Sequence, residues 1–304
     1  MNKHRKLSAV GEFNLIKLIK SEITCSDSVI LGIGDDAAVV GPLSKKKRIL
    51  LTTDLIIEGV HFTKLTKPWD IGHKAMACNI SDIAAMGGMP LYALVSIGVS
   101  AQKPLSYVQE IYRGMKGVAQ RFHVDIVGGD TNRFTQTIIN VALVGEANHT
   151  HFITRSGAQE GDLIFVTGPL GRSLQSGRHL KFIPRISESQ FLMKYFRPSA
   201  MIDISDGLLA DLNHICTASQ KGAVLYSEKI PKCAHANLAQ AMTDGEDFEL
   251  LFSLSAQKAK KLLNLKSIEY KFYHIGEVTK SKGICMIDRC HQIKKIKPKG
   301  FTHF

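Results

Sequence analysis

Seven aspartates are the residues of this chain best suited to chemistry, because they recur in short stretches of small residues. The stretches read G-I-G-D-D-A-A-V-V, L-L-T-T-D, N-I-S-D-I-A-A-M-G-G, I-V-G-G-D-T-N and M-I-D-I-S-D-G-L, and their aspartates are Asp35, Asp36, Asp54, Asp82, Asp130, Asp203 and Asp206. Most stretches follow an apolar or β-branched run and end in Gly, Ser or Thr. This pattern predicts carboxylates at strand ends and tight turns, where loops carry function on a rigid scaffold.

Convergence of these carboxylates would require a counter-charge. Two carboxylates about 5 Å apart repel by roughly 3 kcal/mol at an effective dielectric of about 20. A cluster of oxygen-only ligands suits Mg²⁺, which proteins commonly hold together with phosphates. One aspartate taken alone is better interpreted as a helix cap or a turn residue. Five such stretches together predict a magnesium site instead.

The same stretches supply groups that can hold phosphate. Phosphoryl transfer needs metal ions and positioning around the β- and γ-phosphates. The sequence contains neither the P-loop pattern G-x-x-x-x-G-K-[ST] nor the kinase set H-R-D…D-F-G. Backbone N–H groups of Gly34 and Gly128-Gly129 can approach phosphate oxygens closely, since glycine has no Cβ. Thr52 and Thr53 add oxygen donors beside Asp54, so we predict a nucleotide site of another kind.

Three further side chains have a functional and a structural interpretation. Arg155, in I-T-R-S-G, either clamps phosphate at a domain junction or is a surface residue of a linker. His61 follows Asp54 by seven residues, and a single histidine is more often structural than catalytic. Glu246 and Asp247, in D-G-E-D-F-E-L-L-F, either face a substrate or begin a strand. The sequence leaves these alternatives open.

Strands and helices alternate along the chain, which predicts an α/β or α+β fold. The predicted elements around the aspartates are helices from Ile71 to Met86 and Leu105 to Phe122, and strands from Val124 to Val127 and Thr137 to Gly145 around a G-G-D turn. A turn before Leu163 leads into a second series of strands. A chain of 304 residues has room for two domains, which we place at residues 1–150 and 151–304.

Composition narrows the class of protein. The sequence is 44% hydrophobic and 22% charged, as in ordinary globular proteins, and no apolar run approaches the ~20 residues of a membrane span. We therefore expect a cytoplasmic protein without a membrane partner. The six cysteines form no C-x-x-C pair, so we assign them no metal or disulfide role.

The net charge of +12 is unevenly distributed, because residues 255–304 contain 12 Lys and Arg against 3 acids. A basic segment of this kind can bind nucleic acid, and that hypothesis predicts affinity that falls steeply with salt. No helix-turn-helix, zinc-finger or RNP pattern accompanies it. We favour a solvated face that helps to attract anionic substrates, and expect no nucleic-acid partner.

Taken in order, these stretches resemble the thiamine-monophosphate kinase family, in the superfamily of aminoimidazole ribonucleotide synthetase-like enzymes. The matching motifs include G-E-F-N-L-I, G-I-G-D-D-A-A-V, T-T-D-L-I-I-E-G-V-H-F, K-A-M-A-C-N-I-S-D-I-A-A-M-G-G-M-P, G-G-D-T-N, T-R-S-G-A-Q-E-G-D, D-I-S-D-G-L-L-A-D-L, G-E-D-F-E-L-L-F and K-G-F-T-H-F. The resemblance covers nearly the whole chain. It implies two domains, each a mixed sheet with helices packed on it, and a homodimer with paired N-terminal domains.

The resemblance also implies a reaction and a set of site residues. The reaction is direct transfer of the γ-phosphate of ATP to thiamine monophosphate, the last step of thiamine diphosphate biosynthesis, without a phosphoenzyme. The implied ligands of several Mg²⁺ ions are Asp36, Thr52, Thr53, Asp54, Asp82, Asp130, Asp203 and Asp206. The implied ATP contacts are Gly129, Asp130, Arg155, Ser205 and Tyr112, and the implied thiamine-phosphate contacts are His61, Glu246 and Phe301. No side chain is implied as a nucleophile.

The chain departs from the family pattern at two places. Asp244 stands where the family usually has the first glycine of G-G-E-D, and the segment from Gly171 to Pro184 is shorter than usual. Both departures concern the second domain and leave the predicted metal ligands in place. A different acceptor in the same superfamily, such as an aminoimidazole precursor or selenide, is the alternative. Selenide chemistry would call for a reactive Cys in a Gly-rich N-terminal segment, whereas Cys25 lies in T-C-S-D.

Overall fold

The computed structural model describes residues 12–44, 46–265 and 269–301. The basic residues 1–6 and the last three residues of the K-G-F-T-H-F motif lie outside these ranges. Within them the chain forms eight α-helices and thirteen strands in two sheets. Among the helices in these ranges, none has the length and apolarity that a membrane crossing requires.

The N-terminal sheet has six strands in the order β1-β2-β3-β6-β4-β5. The strands are β1 (Val29–Leu31), β2 (Ala38–Ser44), β3 (Lys47–Ile57), β4 (Met89–Val99), β5 (Asp125–Arg133) and β6 (Ile138–Asn148). Only β4 and β5 pair in parallel. Side chains alternate along β3, so that Leu50 and Ile56 are buried while Leu51 and Leu55 are exposed. One face of this sheet is therefore covered and the other is open.

Three helices belong to this half of the chain: α1 (Glu12–Glu22), α2 (Pro68–Ala85) and α3 (Leu105–Arg121). Pro68 starts α2, where its missing N–H costs no helical hydrogen bond. Most residues of α2 are buried, because the helix contacts the sheet, α3 and elements of the C-terminal half. α2 is consequently the central helix of the molecule.

The C-terminal sheet has seven strands in the order β13-β12-β9-β11-β7-β10-β8. The strands are β7 (Leu163–Val166), β8 (Ala200–Asp203), β9 (Gly222–Tyr226), β10 (Leu250–Leu254), β11 (Tyr273–Thr279), β12 (Gly283–Ile287) and β13 (Ile293–Ile296). The helices are α4 (Ser173–Ser176), α5 (Ile186–Tyr195), α6 (Leu208–Ala218), α7 (Leu238–Thr243) and α8 (Ala256–Leu263). Only β9 and β12 pair in parallel, so this sheet is also mixed.

Direct hydrogen bonds join the two halves. Ser189 Oγ on α5 donates to the carbonyl of Ala84 on α2 at 2.6 Å, and His73 Nε2 on α2 lies 2.8 Å from the carbonyl oxygen of Phe182. The change from one sheet to the other falls between Asn148 and Leu163. The division at residues 150 and 151 stays a prediction.

Three of the seven aspartates do not lie at the predicted strand ends and turns. Asp54 lies inside β3 and Asp82 inside α2. The predicted G-G-D turn was wrong, because Gly129 and Asp130 lie inside β5. Gly129 has φ of 152°, and a Cβ there would lie 1.7 Å from the carbonyl oxygen of Val95. The glycine therefore permits close strand pairing beside an irregular register.

Candidate metal and phosphate site

Three aspartates from three elements converge between the two halves of the chain. Asp36 precedes β2, Asp82 lies on α2, and Asp203 ends β8. One carboxylate oxygen from each lies within 4.8 Å of the other two. The acidic stretches at 36, 82 and 203 thus meet as the sequence predicted, and both sheets contribute.

Hydrogen bonds hold these carboxylates, but one fully buried oxygen of the three has no donor among the described residues. Thr52 Oγ1 donates to Asp82 at 2.5 Å, and Ser81 Oγ donates to Asp203 at 2.5 Å. Arg155 Nη2 donates to Asp36 Oδ1 at 2.8 Å. Within the described ranges no donor reaches the buried Asp36 Oδ2. A buried carboxylate oxygen without a donor, in a set of oxygen ligands, fits a hard divalent cation such as Mg²⁺.

Burial and mutual repulsion change the pKa of these acids. Burial, with the charge of Asp36, raises the pKa of Asp203 to about 8. Burial raises the pKa of Asp54 to about 6, and the pKa of Asp82 lies well above its ordinary value because of burial and the charge of Asp54. Without a cation the cluster therefore retains protons near neutral pH. A divalent cation would replace those protons.

Asp35 and Arg155 connect the first acidic loop to the start of the C-terminal half. Both carboxylate oxygens of Asp35 accept the backbone N–H of Arg155, at 3.1 and 3.2 Å, and Asp35 also accepts the N–H of Asp36. The guanidinium of Arg155 pairs with Asp36. In this state Arg155 thus neutralises a predicted metal ligand.

Two predicted metal ligands lie on the open face of the N-terminal sheet. Thr53 projects from the face opposite to that of Thr52, because successive residues of a strand alternate between the two faces. Its hydroxyl accepts a hydrogen bond from Asn140 at 2.8 Å. Asp130 pairs with Ser96, an exposed residue of β4. Paired residues project from the same face of a sheet. The hydroxyl of Thr53 and the carboxylate of Asp130 therefore lie on the face opposite the buried cluster.

The separation along the sheet is also large. Asp54, Val141, Val95 and Gly129 form one row across β3, β6, β4 and β5. Three strand spacings of about 4.8 Å place Gly129 roughly 14 Å from Asp54. Two ligands of one Mg²⁺ ion lie no more than about 4.2 Å apart, since each bond is about 2.1 Å. Asp130 and Asp54 of one chain cannot hold the same ion.

A cleft of about 450 Å³ adjoins the cluster. Its lining includes the predicted site residues Asp54, His61, Ser205, Asp206, Glu246 and Phe301. The backbone N–H of Phe301 donates to the carbonyl of Asp206 at 3.1 Å. The C-terminal segment thereby reaches the cleft, and the three predicted acceptor contacts, at 61, 246 and 301, line one cavity.

Lys74 is a cleft residue that the sequence analysis did not identify. Its side chain is only 1% exposed, and its ammonium donates to both oxygens of Glu246 at 2.6 Å and to the carbonyl of His61 at 3.0 Å. The spacing of Lys74, Cys78 and Asp82 would have indicated it, because residues four apart share a helix face.

Tyr112 lies outside the cleft, whereas Asp206 lines it and has further polar neighbours. Tyr112 on α3 lines a separate groove of about 600 Å³, together with Lys116 of α3 and Asp125 and Ile126 of β5. Asp206 lies within 4.8 Å of ligand atoms of Asp211 and His214. Asp211 accepts the backbone N–H groups of residues 206 and 207, at 3.1 and 3.0 Å, which fixes the turn before α6.

Comparison with known proteins identifies relatives over the whole chain. Residues 34–147 match the family described as AIR synthase related protein, N-terminal domain, and residues 184–288 match its C-terminal domain. Thiamine-monophosphate kinase of Aquifex aeolicus is 35% identical, over 98% of this chain and 100% of that protein. Thiamine-monophosphate kinase of Rhodopirellula baltica is 36% identical, over 90% and 92% of the two chains.

A solved structure supports the same grouping. The structure of AaThiL complexed with AMPPCP and TMP superposes with a TM-score of 0.86 at 34% identity, covering 100% of both chains. The two-domain fold with mixed sheets that the sequence predicted is therefore confirmed.

Proposed function

The chain belongs to the thiamine-monophosphate kinase family, and from this membership we propose that it transfers the γ-phosphate of ATP to thiamine monophosphate, giving thiamine diphosphate and ADP. The observation that carries the proposal is the acidic cluster beside the cleft that Asp54 and Asp206 also line. A relative with AMPPCP and TMP bound has the same fold. These compounds correspond to an ATP analogue and the phosphate acceptor.

Mg²⁺ is the metal that we propose for the cluster. Asp36, Asp82 and Asp203 would hold it. The hydroxyl of Thr52 is bonded to Asp82, and Asp54 would complete the site from the lining of the cleft. Bound Mg²⁺ would neutralise charge on the phosphate oxygens. Asp206, which also lines the cleft, is a further proposed ligand.

We propose that the protein works as a homodimer that shares its sites. The open face of the N-terminal sheet carries apolar side chains that are half exposed, such as Leu94 at 48% and Leu55 at 47%. A second copy on this face would bury them. It would also bring Asp130 of the partner subunit towards Thr53, which lies on the open face beside Asp54 in β3. Gly129 and Tyr112 would then bind ATP across the interface.

In this reaction the side chains of the protein position the two substrates. Arg155, released from Asp36 when a cation binds, would hold phosphate beside Ser205. His61, Glu246 and Phe301 would orient thiamine monophosphate, with the Phe301 ring against a ring of the substrate. The attacking phosphate oxygen is an anion at neutral pH, so direct transfer needs no general base. We place this chemistry in the cytoplasm, where reduced cysteines such as the six free thiols are the rule.

The test is a reconstitution with purified protein. ATP, Mg²⁺ and thiamine monophosphate are incubated with the enzyme, and thiamine diphosphate is measured by chromatography. Unphosphorylated thiamine and an aminoimidazole ribonucleotide precursor serve as competing acceptors. Formation of ADP without thiamine diphosphate would reject the proposed acceptor, and a preference for the precursor would favour the alternative within the superfamily.

A further inference from the structure

Lys74 is a buried charge whose three donors are all used in the acceptor cleft. Its side chain is 1% exposed, and its partners are the carbonyl of His61 and the two carboxylate oxygens of Glu246. His61 follows β3 in the N-terminal half, whereas Glu246 precedes β10 in the C-terminal half. One ammonium therefore fixes a residue from each half of the cleft.

Stability alone does not account for this arrangement. A buried ion pair is often no more stabilising than apolar residues of the same volume, because both charges lose their hydration. Glu246 itself has an uncommon backbone conformation, with φ of 61°. Such conformations persist when the surroundings fix them, and they concentrate at ligand sites. The position of the pair in the cleft indicates a role towards the acceptor.

The helix that carries Lys74 also carries part of the acidic cluster. Lys74, Cys78 and Asp82 follow each other at four-residue intervals on α2, and Lys74 and Cys78 line the cleft. α2 thus places the acceptor side and the metal side on one rigid element.

We propose that Lys74 is a positioning residue for the phosphate acceptor, acting through His61 and Glu246 to set their spacing and to hold the acceptor against the metal site. This inference rests on the proposed function, since the acceptor is thiamine monophosphate. It assigns Lys74 no contact with the reacting atoms. Its loss should weaken acceptor binding and leave ATP binding intact.

The test separates the KM values of the two substrates. Lys74→Met keeps the length of the side chain and removes its charge, and should raise the KM for thiamine monophosphate about tenfold or more while the KM for ATP stays within about twofold. Lys74→Gln, which keeps two N–H donors but no charge, is the second variant if Lys74→Met does not fold, and should show the same selective rise. Glu246→Gln and the double variant complete a cycle. If Lys74 acts through Glu246, the double variant has the acceptor KM of Glu246→Gln alone.

Two controls distinguish positioning from folding. Lys67→Met removes an exposed lysine just before α2 and should change neither KM. Arg185→Met breaks the 2.6 Å ion pair with Glu249 and should lower the melting temperature without a selective change in the acceptor KM. Equal changes of both KM values in the Lys74 variants, or no change, would overturn the proposal. A wild-type enzyme that forms no thiamine diphosphate would instead overturn the proposed function.

Discussion

At the scale of single residues, the acidic cluster lowers the stability of the fold and carries a proposed function. Asp203 is buried beside Asp36 and Asp82, and one guanidinium offsets three carboxylates. Such arrangements persist where the charges bind a ligand, since folding alone would favour neutral side chains. The cluster should therefore be a site where removal of a charge helps folding and prevents activity.

Asp203→Asn tests this opposition. The substitution keeps the shape and removes a buried charge, so we expect a melting temperature in EDTA at pH 8 that equals or exceeds that of the wild type. Turnover should fall by about 100-fold or more, because a proposed metal ligand is lost. Scanning calorimetry and the thiamine diphosphate assay measure the two effects, with exposed Asp27→Asn as the control. Near-normal turnover at low Mg²⁺ would remove Asp203 from the proposed ligands.

The sequence predicted part of this site correctly and missed part of it. Asp36, Asp82 and Asp203 could be identified because carboxylates in Gly- and Ser-rich stretches have few structural uses when they recur. Lys74 could not be identified with the same ease, because a lysine in a helix is ordinarily exposed and its burial depends on Glu246, 172 residues away. Likewise, no local pattern shows that Arg155 pairs with Asp36.

At the scale of secondary structure, the two departures from the family pattern contact each other. Asp244 is the C-cap residue after α7, and its carboxylate accepts the backbone N–H of Arg172 at 2.9 Å, directly before the short helix α4. Arg172 has φ of 59°, and α4 supplies Leu174 and Gln175 to the cleft. The extra carboxylate thus anchors the shortened segment.

Asp244→Gly restores the family residue and should nevertheless harm this chain. It removes a hydrogen bond to a carboxylate and adds backbone freedom, so we expect a loss of about 1–3 kcal/mol in the free energy of unfolding. Chemical denaturation measures the loss, with Asp244→Asn, which keeps an acceptor, as the matched variant. A glycine variant as stable as the wild type would show that the contact does not compensate for the shorter segment.

The C-terminal segment depends on a second close approach. A Cβ on Gly300 would lie 2.5 Å from Ala210 Cβ and 2.6 Å from the carbonyl oxygen of Asp206. Gly300→Ala should therefore displace Phe301 and raise the KM for thiamine monophosphate by about three- to tenfold, with the KM for ATP nearly unchanged. Gly117→Ala on α3 is the control, because its new Cβ would meet Trp69 at an ordinary 3.8 Å. Equal KM values for wild type and Gly300→Ala would show that Phe301 does not need this anchor.

Most helices and strands could be predicted, because the spacing of their apolar residues is a local property of the sequence. The helices predicted from Ile71 to Met86 and from Leu105 to Phe122 are found at Pro68–Ala85 and Leu105–Arg121. The G-G-D stretch could not be placed in the same way, since glycines that usually mark a turn here permit β5 to approach β4. Strand pairing is a tertiary contact and overrides local turn preference.

At the scale of the whole molecule, the raised pKa values couple folding to pH and to metal. Folded Asp203 has a pKa of about 8 and Asp54 of about 6, against about 3.9 in an unfolded chain. The folded state therefore binds more protons, and the stability that these groups contribute is lost as pH rises through the folded values. Burial lowers the pKa of His214 to about 4, which acts in the opposite direction only below about pH 6.5.

The melting temperature in EDTA should consequently fall between pH 6.5 and pH 8. Millimolar Mg²⁺ should raise the melting temperature more at pH 8 than at pH 6.5, because metal binding displaces protons from the cluster. Differential scanning fluorimetry at both pH values measures this, and Asp203→Asn should reduce the dependence on pH and on Mg²⁺. A metal-free melting temperature that rises between these pH values would contradict the assignment of the buried acids.

The separation of Asp54 from Asp130 within one chain makes a prediction that a dimer with shared sites satisfies. Asp54→Asn and Asp130→Asn should each be inactive as pure proteins, because every site of either homodimer lacks one ligand. If Asp54 acts with Asp130 of the partner subunit, a mixed dimer has one site with both substitutions and one intact site. Equal mixing with subunit exchange makes about half of the dimers mixed and should restore about 25% of wild-type turnover.

If both ligands served a site within one chain, the mixture would stay inactive. Monomers in sedimentation analysis would contradict the dimer itself. Leu94→Arg, on the open face, should abolish both the association and the restored turnover, since a charge there opposes burial of the half-exposed apolar surface.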